Sequence, residues 1–355
     1  MAQALRLAHR GLYSTTPNPR VGCVLVQGGA VIGEGYTQPA GQNHAEIEAL
    51  ADAGRRRAQV RGATAYVTLE PCSHYGLTPP CVEALVAAGV GRVVAAMQDP
   101  NPLVAGQGLE RLREAGIATA CGLMAREAAE LNVGFVARMT RGRPWLRLKL
   151  AASLDGKTAL NNGRSQWLTG AAARRDGHRW RARACAILTG IGTVRDDDPR
   201  LSVREVDTDR QPLKVVVDSR LELPLSAQIL NGGGVLVAAA QADAAKIEAL
   251  NRAGAEVAVL PDARGKVDLP ALMQELARRG INELHAEAGA KLNASLLREG
   301  LVDELLLYLA PMLLGDAARG MFDLPELTDL AGRQPLKITD LARVGDDIRI
   351  LARLA

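Results

Sequence analysis

The sequence predicts two layered α/β domains in tandem, and three observations carry that expectation. The chain has 355 residues, 48% of them hydrophobic and 23% charged, enough length and apolar content for two ordinary cores. Strand-length apolar runs alternate with amphipathic helical stretches up to about residue 121, and a second alternation starts at "WLRLKLAASLDG". Between them the pattern breaks at "ARMTRGRPW", where Arg138, Arg141, Gly142, Arg143 and Pro144 crowd together. A boundary there divides the chain into 1–142 and 143–355.

In chain order, "MAQALRLAHRGL" has apolar residues at helical spacing with Arg6, His9 and Arg10 between them. It lacks the long apolar stretch of a signal peptide or membrane span, so the expected location is cytoplasmic. "RVGCVLVQGGAVIGEGY" is two apolar runs broken by Gly28 and Gly29, a hairpin signal. "HAEIEALADAG" reads as an amphipathic helix ended by Gly54, "ATAYVTLE" as a strand, and "CVEALVAAG" as a helix ended by Gly89. "GRVVAAM", "GLERLREAG" and "IATACG" continue as strand, helix and strand.

The second half repeats the theme with "ACAILTG", "LKVVVDS", "GGVLVAAA", "AEVAVL", "INELHAEAG" and "LVDELLLYLAPMLLG", and with helices from about 171, 243, 270 and 290. Its end, "LKITDLARVGDDIRILARL", reads as an antiparallel edge pair about Gly345. Strands alternating with helices imply largely buried sheets.

Charge says little about partners. The net +4 is the difference between 43 basic and 39 acidic residues spread along the chain. With 3% aromatic residues and no basic cluster in the first domain, a nucleic-acid surface is disfavoured. Five cysteines, an odd number, suit a reducing compartment, where paired cysteines more often bind metal or react than form disulfides. Cys23, Cys121 and Cys185 lie in apolar runs and are expected to be buried thiols.

The remaining two stand in "PCSHYGLTPPC", downstream of a separate "HAE". A catalytic zinc takes three protein ligands and leaves its fourth position to water. His44, Cys72 and Cys81 supply one nitrogen and two sulfurs, each near the expected end of an element. Thr78 as N-cap and Pro79 in the first turn would place Cys81 at the opening of a helix, whose N-terminus favours the thiolate. Glu46 could then move protons without being a ligand, the arrangement of zinc deaminases with H-x-E and P-C-x-x-C. Here the second half is P-C-x8-C. Taken singly, each residue has a plainer reading: "NHAE" also fits a capping box, and a lone His or Cys is more often structural. Their conjunction within one α/β unit favours the metal.

At these residues the chain resembles the bifunctional riboflavin-biosynthesis deaminase/reductase family of bacteria. "TPNPRVGCV", "HAEIEAL", "TLEPCSHYGLTPPC" and "DPNPLVAGQG" are similar to its deaminase half; "LKLAASLDGKTA", "SQWLTG", "DDDPRLSVR" and "HAEAGAKLNASLL" are similar to its reductase half. The resemblance implies a cytidine-deaminase-like domain that hydrolyses the 2-amino group of a phosphoribosylamino-diaminopyrimidinone. In it His44, Cys72 and Cys81 hold zinc, Glu46 is catalytic and Asn18 orients the ring. It further implies a dihydrofolate-reductase-like domain that uses NADPH to convert the ribosyl group to ribityl.

In that domain Ala151, Trp167, Thr193, Asp197 and Ser219 are expected to line the cofactor cleft. Gly289, Ala290, Lys291, Leu292, Asn293, Ala294 and Ser295 are expected to cradle cofactor phosphate, and Ser165, Arg181, Leu201, Arg204 and Glu287 to contact substrate. No G-x-G-x-x-G is present, so the residues alone point only weakly to a nucleotide. Leu77 and Met312 depart from the family, which usually carries a basic residue at each place. A homo-oligomer is expected. Two rivals are a nucleic-acid base deaminase and a binding module in which zinc only supports folding.

Overall fold

A computed structural model describes residues 1–102 and 104–354. The chain divides into two compact units, Met1–Arg143 and Pro144–Ala355. In the first, the elements are α1 (Ala2–Arg10), β1 (Gly22–Gln27), β2 (Ala30–Tyr36), α2 (Ala45–Arg55), β3 (Thr64–Val67), α3 (Cys81–Ala87), β4 (Arg92–Ala95), α4 (Gln107–Glu114), β5 (Ala118–Cys121), α5 (Ala125–Leu131) and α6 (Val133–Arg141).

Its sheet has the order β2-β1-β3-β4-β5, with β1 and β2 forming the antiparallel hairpin and β3, β4 and β5 running parallel. Gly28 and Gly29 turn the hairpin with φ of 56° and 82°, open to glycine at no steric cost. The alanine face of α2 lies directly on β2. A side chain at Gly33 or Gly35 would come within 2.3 Å of the carbonyl of Ala49 or Ala45, so this approach requires glycine at both. That contact fixes where the first turn of α2 points.

Three expectations need correcting. α2 does not end at Gly54; the helix runs to Arg55, and Arg57 takes the left-handed conformation (φ 55°) that would have suited glycine. Cys121 is exposed, because β5 is the sheet's outermost strand, whereas Cys23 and Cys185 are buried. The segment read as a break is helical to Arg141, and Gly142 (φ 66°) ends α6.

The second unit contains β6 (Trp145–Ser153), β7 (Lys157–Ala159), α7 (Ala171–Arg183), β8 (Ala186–Gly190), α8 (Ile191–Asp197), β9 (Leu213–Val217), β10 (Val235–Ala239), α9 (Ala244–Arg252), β11 (Ala255–Val259), α10 (Leu269–Arg278), β12 (Glu283–Ala286), α11 (Ala290–Arg298), β13 (Glu304–Ala310), β14 (Arg319–Gly320), β15 (Leu336–Val344) and β16 (Asp347–Leu354). A nine-stranded sheet runs β11-β10-β9-β8-β12-β6-β13-β16-β15. The first seven are parallel, and β16 and β15 close the edge antiparallel, the hairpin about Gly345.

Helices cover both faces of the parallel part, which is why its strands read as nearly unbroken apolar runs. Leu236 and Ala238 of β10 pack with α10 and α11, and Val235, Val237 and Ala239 pack on the other side with α8 and α9. The exception is β6, which carries Arg147 and Lys149 between its leucines. Arg147, 2% exposed, is held by Glu304 at 2.6 Å and Glu283 at 3.2 Å and lies over the Trp180 ring at 4.4 Å. A buried cation is tolerated there because both carboxylates and the ring face it.

Candidate active sites

In the first unit α2 begins just after His44 and α3 begins at Cys81, while Cys72 lies in the loop that follows β3. Pro80, not Thr78, precedes the first helical residue of α3, and its own side chain offers no capping acceptor. The sulfur of Cys72 takes that place instead, accepting the Cys81 backbone N–H at 3.2 Å. Asn43 does not build a capping box with Glu46; its amide donates to Glu48 at 2.9 Å.

The three donors converge. His44 Nδ1 lies 3.5 Å from Cys72 Sγ and 3.4 Å from Cys81 Sγ, and all three atoms lie within 4.8 Å of one another. Zinc bonds of about 2.0 Å to nitrogen and 2.3 Å to sulfur at a tetrahedral angle require a separation of about 3.6 Å, so the set fits that ion. Among the described residues no further His, Cys, Asp or Glu joins the cluster.

Glu46 sits one helical residue beyond Ala45 and is 3% exposed. Burial, reinforced by the negative charge of Cys72, pushes its carboxyl up to about 7. Cys72 is held down at about 4 by a hydrogen bond from the Cys81 thiol, with His44 and the Cys81 N–H adding to it against the effect of burial. The Cys81 thiol is pushed up by that same donation and by burial. One of the two sulfurs is therefore already a thiolate, the form that ligates metal. The cavity above is lined by Asn18, His44, Cys72, His74, Leu77 and Thr78. Leu77 is 84% exposed on its rim.

Sequence reading missed Glu70. Its buried carboxylate accepts four backbone N–H groups, those of Asp99 (3.0 Å) and Gly106 (3.0 Å) on one oxygen and of Gly108 (2.8 Å) and Leu109 (3.2 Å) on the other. A side chain at Gly108 would come within 2.1 Å of the Pro71 carbonyl. Arg111 donates to the Ser73 carbonyl. Cys72 is thus gripped on both flanks from α4 and the segment before it. No spacing rule announces this, because the partners are main-chain groups 29 to 39 residues downstream.

In the second unit the parallel strands β8, β12 and β6 end side by side, the position where open α/β sheets bind ligands. Arg181 grips Glu287 with two hydrogen bonds, one of them 2.9 Å, and also donates to the Ser202 carbonyl at 3.3 Å. Arg204 joins them: its guanidinium donates to Ser202 Oγ at 3.1 Å and its backbone N–H to His178 Nδ1 at 3.3 Å. Burial, with Arg181 and Arg204 alongside, lowers His178 to about 4, so the ring stays a neutral acceptor. Lys149 was also missed; its Nζ lies 3.8 Å from Glu287. The alternation of charge and leucine in "WLRLKL" was the available signal. Leu201 is buried beside this group with φ 47°.

Gly289 precedes α11, and positions 289 and 190 come close to Thr193 and Leu292, so the turns after β12 and β8 adjoin. Ala290, Lys291 and Leu292 hold the free N–H groups of the first turn, whereas Asn293 and Ala294 are buried and Ser295 donates back to the Lys291 carbonyl. Asp197 ends α8, and Ser219 accepts the Val267 N–H at 3.2 Å. Ala151 pairs with Tyr308 across β6 and β13. Ser165 and Trp167 lie on the segment before α7, the Trp167 ring exposed beneath Arg174 at 4.9 Å.

Residues 1–97 match the cytidine and deoxycytidylate deaminase zinc-binding region, and residues 144–350 match the RibD C-terminal domain. The chain is 48% identical over 361 residues to riboflavin biosynthesis protein RibD of Escherichia coli, covering 98% of this chain and 96% of that protein. A solved structure of Acinetobacter baumannii RibD aligns with TM-score 0.92 at 45% identity, covering 100% of this chain and 97% of that one. A Thermotoga maritima diaminohydroxyphosphoribosylaminopyrimidine deaminase/5-amino-6-(5-phosphoribosylamino)uracil reductase aligns with TM-score 0.88 at 30% identity, covering 100% and 97%. With identity at this level along essentially the whole length of both chains, the protein belongs to the RibD family of riboflavin biosynthesis proteins.

Proposed function

We propose that the chain carries out two consecutive conversions: hydrolytic deamination of 2,5-diamino-6-(5-phosphoribosylamino)pyrimidin-4(3H)-one in the first unit, then NADPH-dependent reduction of the product's ribosyl group in the second. The convergence of one imidazole nitrogen on two sulfurs, with a buried carboxyl beside them, carries the first half. His44, Cys72 and Cys81 would hold zinc, which supplies Lewis-acid activation of the attacking water. Glu46 takes a proton from that water and returns it to the departing amino group, so that C2 exchanges its amine for oxygen and ammonia leaves. Asn18 orients the ring. The exposed Leu77 offers no charge to the substrate phosphate, which must be neutralised elsewhere.

In the second unit NADPH supplies the hydride. The first-turn N–H groups of Ala290 to Leu292 suit an anionic group of the cofactor, narrowing the cradle from the full span 289–295. Ala151, Trp167, Thr193, Asp197 and Ser219 line the rest of its cleft. Arg181 and Arg204, planar forks beside Glu287, suit the sugar phosphate, with Ser165 and Leu201 completing that side. The ribosylamino sugar opens to an imine, and its first carbon accepts the hydride while the nitrogen takes a proton.

Among the described residues no helix is long and apolar enough to cross a membrane. Thiol ligands that must stay reduced fit a cytoplasmic location, and a homo-oligomer is part of this reading. The deciding experiment measures metal content and ammonia release together on the diaminopyrimidinone phosphate, then follows NADPH oxidation. Stoichiometric zinc, ammonia, and oxidation only of the deaminated intermediate are expected. Equal reduction of the undeaminated substrate would overturn the order of steps.

A further inference from the structure

We infer that Arg319 and Asn293 are positioning residues for the reduction: they hold the segment carrying Ser165 and Trp167 in register with the helix turn that receives the cofactor. The inference deepens the reading above and rests on its assignment of Ser165 to the substrate, of Trp167 to the cofactor cleft, and of Ala290 to Leu292 to the cofactor's anionic group. Ser165 and Trp167 lie outside regular structure, between β7 and α7. Backbone pairing does not fix where that segment runs, so its place is set by what grips its two ends.

One end leaves a turn at 160–164, in which the Leu160 N–H donates to the Arg164 carbonyl and the Gly163 N–H to the Leu160 carbonyl, both at 2.9 Å. Arg319 clasps this turn from the opposing strand. Its guanidinium donates to the Asn161 carbonyl at 3.2 Å and lies over Gly163, where an added Cβ would meet it at 3.7 Å. The other end is tied at Gly170, whose N–H donates to Asp347 at 2.8 Å.

Arg319 stands on β14, which pairs with β7 as a two-stranded sheet apart from the nine-stranded one. Thr158 Oγ1 adds a bond to the Gly320 carbonyl at 3.3 Å. Strands of three and two residues are not stable as a pair alone, so this one depends on its anchors. Asp155 pins the chain before β14, accepting the N–H groups of Leu314 at 3.1 Å and Gly315 at 2.8 Å. The chain after β14 is anchored on α11. Asn293, 1% exposed, donates its amide to the Met321 carbonyl at 3.2 Å, and the Asp323 N–H donates to the Ala290 carbonyl at 3.2 Å. Met321 and Phe322 pack against the main core of the second unit. The first turn of α11, which offers its N–H groups to the cofactor, is therefore also the turn from which β14, the 160–164 turn and Ser165 are hung.

The test is steady-state reduction of the deaminated intermediate. Arg319→Ala should raise the KM for the intermediate about fivefold or more with kcat within about twofold, the mark of lost binding rather than lost chemistry. Arg319→Lys, which still offers a charged donor to the Asn161 carbonyl, should recover most of the loss. Asn293→Ala should act in the same direction, and the double variant should be no worse than the larger single change, because both residues act through β14. Thr158→Val takes the place of Asn293→Ala if the buried substitution prevents folding. Wild-type KM in Arg319→Ala, or effects that multiply in the double variant, would overturn the positioning role. Ser165→Ala checks the assignment beneath it: wild-type KM there overturns that assignment, and the positioning role with it.

Discussion

The two candidate centres differ in what holds them together. In the first unit three donors from one short stretch, residues 44 to 81, meet at distances that fit a single metal ion, and main-chain hydrogen bonds hold them from behind. In the second, Lys149, Arg181, Arg204 and Glu287 come from separate elements and are organised by ion pairs to Glu287 and by hydrogen bonds to Ser202 and His178. The difference teaches that metal chemistry demands rare residue types at close quarters, while anion recognition uses common ones that only the fold can assemble.

That contrast can be broken most sharply at Glu46. Glu46→Gln should retain zinc and lose about a thousandfold in ammonia release, the scale of a missing proton carrier, while NADPH oxidation with the deaminated intermediate is unchanged. Unchanged turnover would instead favour a metal that only supports folding. In the second unit Arg181→Lys replaces a two-pronged grip on Glu287 by a single contact. It should lower kcat/KM for reduction by about tenfold to a hundredfold and leave ammonia release intact; a fall in both activities would mean the units are not separable in this way.

A finer test is Glu70→Gln, whose amide turns a donor toward N–H groups that now meet an acceptor. Weakened support of Cys72 should cost about tenfold or more in zinc affinity, read by chelator competition and by the absorption of the cobalt-substituted protein. Metal binding equal to wild type would reduce Glu70 to a loop anchor.

The smallest effect concerns His178. Its folded value, about 4, lies below the ordinary 6.5, so the unfolded chain binds the proton first as pH falls. The stability it contributes is complete above about pH 6.5 and is lost progressively towards pH 4. Protonation would abolish its acceptance of the Arg204 N–H and set a third cation beside two arginines. Thermal unfolding of wild type and His178→Gln should therefore converge on acidification; a constant difference between pH 7 and 4 would exclude that role.

Much of this was legible in the residues. Alternating apolar runs gave the layered α/β units, glycines marked the hairpins, and the rare coincidence of His-x-Glu with two cysteines at element ends pointed to one metal site. What escaped has a common cause. Glu70 answers to backbone groups that carry no side-chain signature, and the end of α2 fell to Arg57, although Gly54 is the stronger stop signal.

The sequence by itself determined which atoms are available: an imidazole, two thiols, a carboxyl, and strands apolar enough to bury. Tertiary structure alone decided which of them meet. It set the separation of His44 from the two sulfurs, closed Arg181 on Glu287, and through one bulge turned Leu341 onto the face of Leu336. Local preference acts over a few residues, whereas separations of a few ångströms between distant residues are fixed only when packing and backbone hydrogen bonds leave the chain no other arrangement.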